Sequence, residues 1–247
     1  MIRTILWAAY FILYLIVVSP KWLYCHHLVK KGKREKAQPM IDKMVYHWAG
    51  RLLAAAGGTV TVRGQENIPE GTAVFVANHQ SDFDIPVVLR YVGKPRPLLA
   101  KVSLSKVPGI HGWMDLLQCV YVDRTDEKQS VRALMDSTKL VKSGASMTIF
   151  PEGTRSKGGP VKEFKGGAFR IATSAKVPVV PVTIEGSYHL LEERYRIHPG
   201  HVTVTIHPPI QTAGMSRQEV RELPERVRQQ ILSVMDERYH MTVSPED

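Results

Sequence analysis

Seven short runs rich in β-branched and apolar residues punctuate the chain, at 59–63, 73–77, 98–102, 119–122, 147–150, 177–184 and 201–206. Helical periods lie between several of them. The clearest covers 127–143, where Val131, Leu134, Met135 and Val141 trace one stripe and Gly144 supplies a stop. Another follows Gly166-Gly167, and a charged helix is expected over 216–240. The run Val177-Pro178-Val179-Val180-Pro181-Val182 is apolar at successive positions, so both faces of its strand must be covered. The pattern predicts an α/β fold, a mostly parallel central sheet flanked by helices. In such folds ligands sit at the loops leaving the strand C-termini.

The first fifth of the chain has a different character. Residues 4–20 carry no charge and include Ile5-Leu6-Trp7 and a continuous apolar run from Phe11 to Val18. As a helix these 17 residues span about 26 Å, slightly short of the ~30 Å hydrocarbon core of a bilayer. No small-x-small cleavage site follows, so the segment reads as an anchor rather than a cleaved signal. Residues 1–51 hold nine Lys and Arg against Glu35 and Asp42, most of the chain's net charge of +10. A second amphipathic segment is expected to open at Pro39 and close at Gly57-Gly58, with Met40, Ile41, Met44, Val45, Trp48 and Leu52 at helical spacing. Alone that stripe suits core packing; beside an apolar helix and a basic linker it equally suits a membrane interface. Basic residues that flank apolar helices, with no nucleic-acid-binding pattern, point to an anionic phospholipid surface and exclude nucleic acid. The expected division is 1–57, a two-helix membrane-anchoring motif, and 58–247, an α/β catalytic unit. A mean hydropathy of −0.14 excludes a polytopic membrane protein. Two distant cysteines, Cys25 and Cys119, exclude a disulfide framework.

Two of the expected post-strand loops carry unusual chemistry. In Asn78-His79-Gln80-Ser81-Asp82-Phe83-Asp84, His79 lies just past a strand and Asp84 at a helix N-cap position. A loop turning back between them brings carboxylate to imidazole, which fixes the tautomer and leaves the other nitrogen free as a base. In Phe150-Pro151-Glu152-Gly153-Thr154-Arg155-Ser156, Gly153 lets backbone N–H groups approach an anion and Arg155 offers a bidentate fork. Arg124 and Lys101 end two further strands. One histidine and three cations on four such loops suit a phosphorylated substrate with a proton to lose. His79, Asp82 and Asp84 also invite a rival reading, a metal-dependent phosphohydrolase with Glu152 as the further ligand. A second rival is a non-catalytic lipid- or carrier-protein-binding module.

Asn78-His79-x-Ser81-x-x-Asp84 together with Glu152-Gly153-Thr154-Arg155 resembles the glycerolipid acyltransferase family, in particular its 1-acyl-sn-glycerol-3-phosphate acyltransferases. The proline-bearing apolar block around Pro181 is similar as well. The arginine-bearing block reads Gln118-Cys119-Val120-Tyr121-Val122-Asp123-Arg124, with Gln118 where the family pattern has glycine and Tyr121 where it has phenylalanine. The resemblance implies transfer of a fatty acyl group from a thioester, on acyl carrier protein or coenzyme A, to the 2-hydroxyl of lysophosphatidate, giving phosphatidate. Glycerol 3-phosphate or another lysophospholipid is the alternative acceptor. It implies His79 and Asp84 as the catalytic pair and Arg155, Arg124, Lys101, Gly153 and Thr154 around the substrate phosphate. Glu152, Asn78, Ser81 and Pro181 would shape the acceptor loops. No cofactor and no metal are implied. The setting implied is the cytoplasmic face of the inner membrane.

Overall fold

The computed structural model describes residues 1–240, so the end of the expected 58–247 unit, 241–247, lies outside the described residues. Two long helices come first, α1 (Ile2–Lys30) and α2 (Arg34–Ala56). The α/β part follows as β1 (Gly58–Arg63), β2 (Val74–Ala77), α3 (Asp84–Tyr91), β3 (Leu99–Lys101), α4 (His111–Leu116) and β4 (Val120–Val122). It continues through α5 (Glu127–Lys142), β5 (Met147–Ile149), α6 (Gly166–Ala175), β6 (Val179–Glu185), β7 (Gly200–Ile206) and α7 (Arg217–Leu232). Five strands form one sheet in the order β1-β7-β6-β2-β5, parallel except where β6 meets β7. The short strands β3 and β4 make a separate parallel pair, bridged to the main sheet through Leu98 and Thr148.

Strand periodicity sorts side chains to two cores. On β2, Phe75 and Ala77 join one apolar cluster with α2 and α3, whereas Val74 and Val76 join the other with α5, α6 and α7. Pro181 lies opposite Val76 within β6 and is buried. Its missing N–H faces the end of β7, where only its carbonyl is needed, accepting from the His207 N–H at 2.9 Å. Cys119 is core filling: its sulfur accepts the Leu98 N–H, and burial pushes the thiol up to about 12.

Three helix boundaries differ from expectation. The first helix is not confined to the uncharged stretch 4–20 but runs 29 residues, about 43 Å, through Pro20. Packing on both sides of the proline outweighs its cost of roughly 3 kcal/mol: Leu15 lies against Gly109 and Trp22 against Gly112. Pro39 does not open α2 but sits within it; the helix begins at Arg34, whose guanidinium donates to the Leu116 carbonyl, with Glu35 in the first turn. The C-terminal helix starts where expected, at Ser216, which forms a capping box with Glu219, but stops at Leu232. The chain then bends so that Tyr239 is buried and its carbonyl accepts the Val161 N–H at 3.1 Å.

The stripe of α2 is core. Ala37, Ile41, Val45, Ala49, Leu53 and Ala56 are buried in the same cluster as the sheet, and Met40, Met44 and Trp48 pack at its margin. The exposed apolar face belongs to α1, where Ile5, Leu6, Ile12, Leu13, Ile16 and Val17 are all more than half exposed. This is the one described helix long and apolar enough to cross a membrane. It is nevertheless held along the α/β part. Trp7 Nε1 donates to the Leu52 carbonyl and its ring meets Phe83 at 5.5 Å, while the Thr4 hydroxyl accepts the Ile197 N–H at 3.0 Å.

Candidate active site

The loop after β2 owes its shape to four side chains that satisfy backbone groups. The Asn78 amide binds β6 in both directions: Nδ2 donates to the Ile184 carbonyl and Oδ1 accepts the Ile184 N–H, each at 2.8 Å. Gln80 Oε1 accepts the Gly186 N–H at 2.9 Å. The Ser81 hydroxyl accepts the Phe83 N–H at 3.0 Å. Asp84, the first residue of α3 and fully buried, closes the turn: its Oδ2 accepts the N–H groups of Gln80 at 2.7 Å and Ser81 at 2.9 Å.

The same oxygen lies 2.7 Å from His79 Nδ1. A carboxylate only accepts, so Nδ1 carries a proton, and in the neutral ring the lone pair lies on Nε2. Among the described residues nothing hydrogen-bonds Nε2. The imidazole stacks on Phe150 at 4.3 Å between ring centres and keeps a small exposed edge, 16% of its side chain.

The loop after β5 is stitched to the first one. Ser156 N–H donates to the His79 carbonyl at 2.7 Å and Lys157 N–H to the Gln80 carbonyl at 3.1 Å. Glu152 sits buried beneath both, taking the His79 N–H on Oε1 at 2.6 Å and the Lys162 N–H on Oε2 at 3.1 Å. Burial outweighs these two donors and holds its carboxyl at about 7, far above the ordinary range. Gly153 has φ +75, a backbone that favours glycine. A methyl there would lie 3.3 Å from Lys165 Nζ and 3.7 Å from Arg124 Cζ, so two cations converge on its bare Cα. Neither Arg124 nor Lys165 has a carboxylate within 4.0 Å among the described residues, and partial burial lowers the Arg124 guanidinium below its usual value.

Arg155 is differently placed. Its Nη1 donates to Asp82 Oδ2 and to Glu192 Oε1, the latter at 3.1 Å, so its charge is spent on two carboxylates of this structure. Glu192 is buried, which pushes its carboxyl up, and it also accepts the Asp82 N–H at 2.9 Å. Lys101 is exposed at the end of β3, paired with Val122 two residues before Arg124. Thr154 is exposed, and Pro181 stays inside the sheet rather than on a loop. Among the described residues no three His, Cys, Asp or Glu side chains gather as a metal-holding group. Both oxygens of Glu152 are already occupied by N–H donors.

Two residues of the candidate site escaped sequence reasoning. Glu192 lies 110 positions from the Asp82 amide it binds, and no spacing rule links them. Lys165 could have been found as the cation directly before the Gly166-Gly167 helix start. Gln118 shows why the family pattern has glycine there: its φ is 60, in the left-handed region.

The family model described as Acyltransferase matches residues 59–185, which hold both loops. A 1-acyl-sn-glycerol-3-phosphate acyltransferase of Saccharomyces cerevisiae is 31% identical over 210 residues, 83% of this chain and 68% of that one. The chain spans 62% of the length of a Mycoplasma pneumoniae relative that is 33% identical over 165 residues, 65% of this chain. The crystal structure of the 1-acyl-sn-glycerophosphate acyltransferase PlsC of Thermotoga maritima superposes with a TM-score of 0.71 at 33% identity, covering 95% of this chain and 98% of that one. With a His–Asp pair and a glycine-centred cationic loop inside the matched segment, the chain belongs to the Acyltransferase family.

Proposed function

We propose that this protein transfers a fatty acyl group from a thioester to the 2-hydroxyl of 1-acyl-sn-glycerol 3-phosphate, giving phosphatidate. The observation that carries this reading is the 2.7 Å contact from His79 Nδ1 to Asp84 Oδ2, with Nε2 left open. Nε2 takes the hydroxyl proton as the alcohol oxygen bonds to the thioester carbonyl carbon. The C–S bond breaks, and the imidazolium returns the proton to the departing thiolate. Asp84 stabilises the imidazolium; a base so placed is worth about 10²–10⁴ in rate. No nucleophilic side chain is required, because the thioester is already activated. The acceptor phosphate rests on Arg124 and Lys165 at Gly153, with Lys101 flanking. Arg155, held by Asp82 and Glu192, braces the His79 loop. The donor is a thioester of acyl carrier protein or coenzyme A, and no cofactor takes part.

The apolar N-terminal helix associates the protein with a membrane. Its contacts at Thr4 and at Trp22 both reach the α/β part, about 27 Å apart along the helix. A helix held flat over that length favours burial in one leaflet, since crossing would drag the polar domain into hydrocarbon. We place the catalytic part on the cytoplasmic face of the inner membrane, where basic segments are retained.

The test is an assay of the purified chain with radiolabelled 1-acyl-glycerol 3-phosphate and each thioester, with and without EDTA. Labelled phosphatidate with stoichiometric free thiol, insensitive to EDTA, is expected. Absence of labelled phosphatidate with both donors would refute the reading, and so would chelator-sensitive release of inorganic phosphate.

A further inference from the structure

We propose that the groove between α1 and α2 is a binding site for one anionic glycerophospholipid, separate from the reaction centre. The groove is open along one side and offers about 640 Å³, within the range of small-molecule sites. Leu13, Val17 and Val18 of α1 and Met40 and Met44 of α2 give it an apolar floor running about 16 Å from Tyr10 to Lys21. Its α2 wall is cationic. Lys43, His47 and Arg51 stand at i, i+4 and i+8, one stripe on one helix face, and Lys21 closes the far end.

Charge complementarity selects the occupant. No carboxylate lines the groove, and among the described residues none lies within 4.0 Å of these four side chains. All four are exposed, so the stripe is not consumed in holding the fold. An acyl chain alone would leave it unanswered, and a soluble anion would leave the floor unanswered. A phosphodiester headgroup on an acyl chain meets both. Leu13 and Val17 also belong to the exposed apolar face of α1, so the groove opens toward the surface on which the helix lies. The tyrosines at its other end reinforce the boundary, with Arg51 5.9 Å from the Tyr14 ring. The proposal does not rest on the acyl-transfer reading.

The experiment is native mass spectrometry of the full chain in a neutral detergent, titrated with phosphatidylglycerol or phosphatidylcholine. Wild type should take up a single phosphatidylglycerol saturably and no phosphatidylcholine. The combined variant Lys43→Gln/His47→Gln/Arg51→Gln should weaken that binding about tenfold or more. Leu13→Trp, which fills the floor and keeps every charge, should weaken it comparably. Lys128→Gln/Lys142→Gln on α5 removes an equal number of permanent charges, two, from another helix and should change nothing. His79→Ala should bind lipid as wild type does, keeping this result distinct from that of the catalytic assay. Equal uptake of both lipids, unsaturable uptake, or equal loss in the α5 control would show diffuse attraction and overturn the proposal.

Discussion

Glu152→Gln keeps the shape of a buried side chain while removing its titration. Glu152 receives two N–H groups, from His79 and Lys162, one on each oxygen. Glutamine keeps one acceptor and turns an NH₂ toward the other donor, leaving a buried N–H unpaired at a cost of about 1–3 kcal/mol. Wild type carries a different burden. Its carboxyl ionises at about 7 in the folded protein against 4.5 ordinarily. Between those values the native state holds the extra proton, so raising pH through the window destabilises wild type, by about 3 kcal/mol in all. The variant has no such slope. At pH 5 it should therefore be less stable than wild type by about 1–3 kcal/mol, and by pH 8 the two should converge or cross. Thermal or urea unfolding of both proteins in one detergent, from pH 4.5 to 8, measures the gap. A gap that does not change with pH would show that Glu152 ionises in its ordinary range and that burial does not dominate its environment.

Three further outcomes follow from the geometry. Arg155→Ala and Glu192→Gln should show a coupling of about 1–3 kcal/mol in a double-mutant cycle on stability, with kcat reduced more than the acceptor KM; additive effects would leave Arg155 free for substrate. Arg124→Ala and Lys165→Ala should each raise the acceptor KM about 10–100-fold, the worth of one charge-assisted hydrogen bond, with the donor KM unmoved; equal effects on both substrates would argue against a phosphate site at Gly153. Gln118→Gly relieves a left-handed residue on the surface and should stabilise by about 0.5–1 kcal/mol after the entropy of glycine is subtracted, read as a higher melting temperature with unchanged kinetics.

What the sequence made legible was local. The strand runs, the start of the C-terminal helix at residue 216 and the post-strand position of His79 each depend on residues within a few positions, and each stands in the structure. The pairing of His79 with Asp84 was accessible for the same reason, being closed by a single turn. The role of the α2 stripe was not, because a helix face reads identically whether it meets a sheet or a lipid surface. The first helix was bounded by its uncharged stretch, 4–20, and the second by a helix-start rule at Pro39; neither signal includes the packing that extends both helices. The Arg155–Glu192 contact joins loops 37 residues apart, and only the folded chain brings them together.

The account stands or falls on the imidazole. Turnover of labelled lysophosphatidate by His79→Ala and Asp84→Asn, beside wild type in the same vesicles and with vesicle binding measured in parallel, tests it directly. The expected result is a drop in kcat of about 10²–10⁴ for both variants, with lipid binding intact. Wild-type turnover in His79→Ala would contradict the account outright.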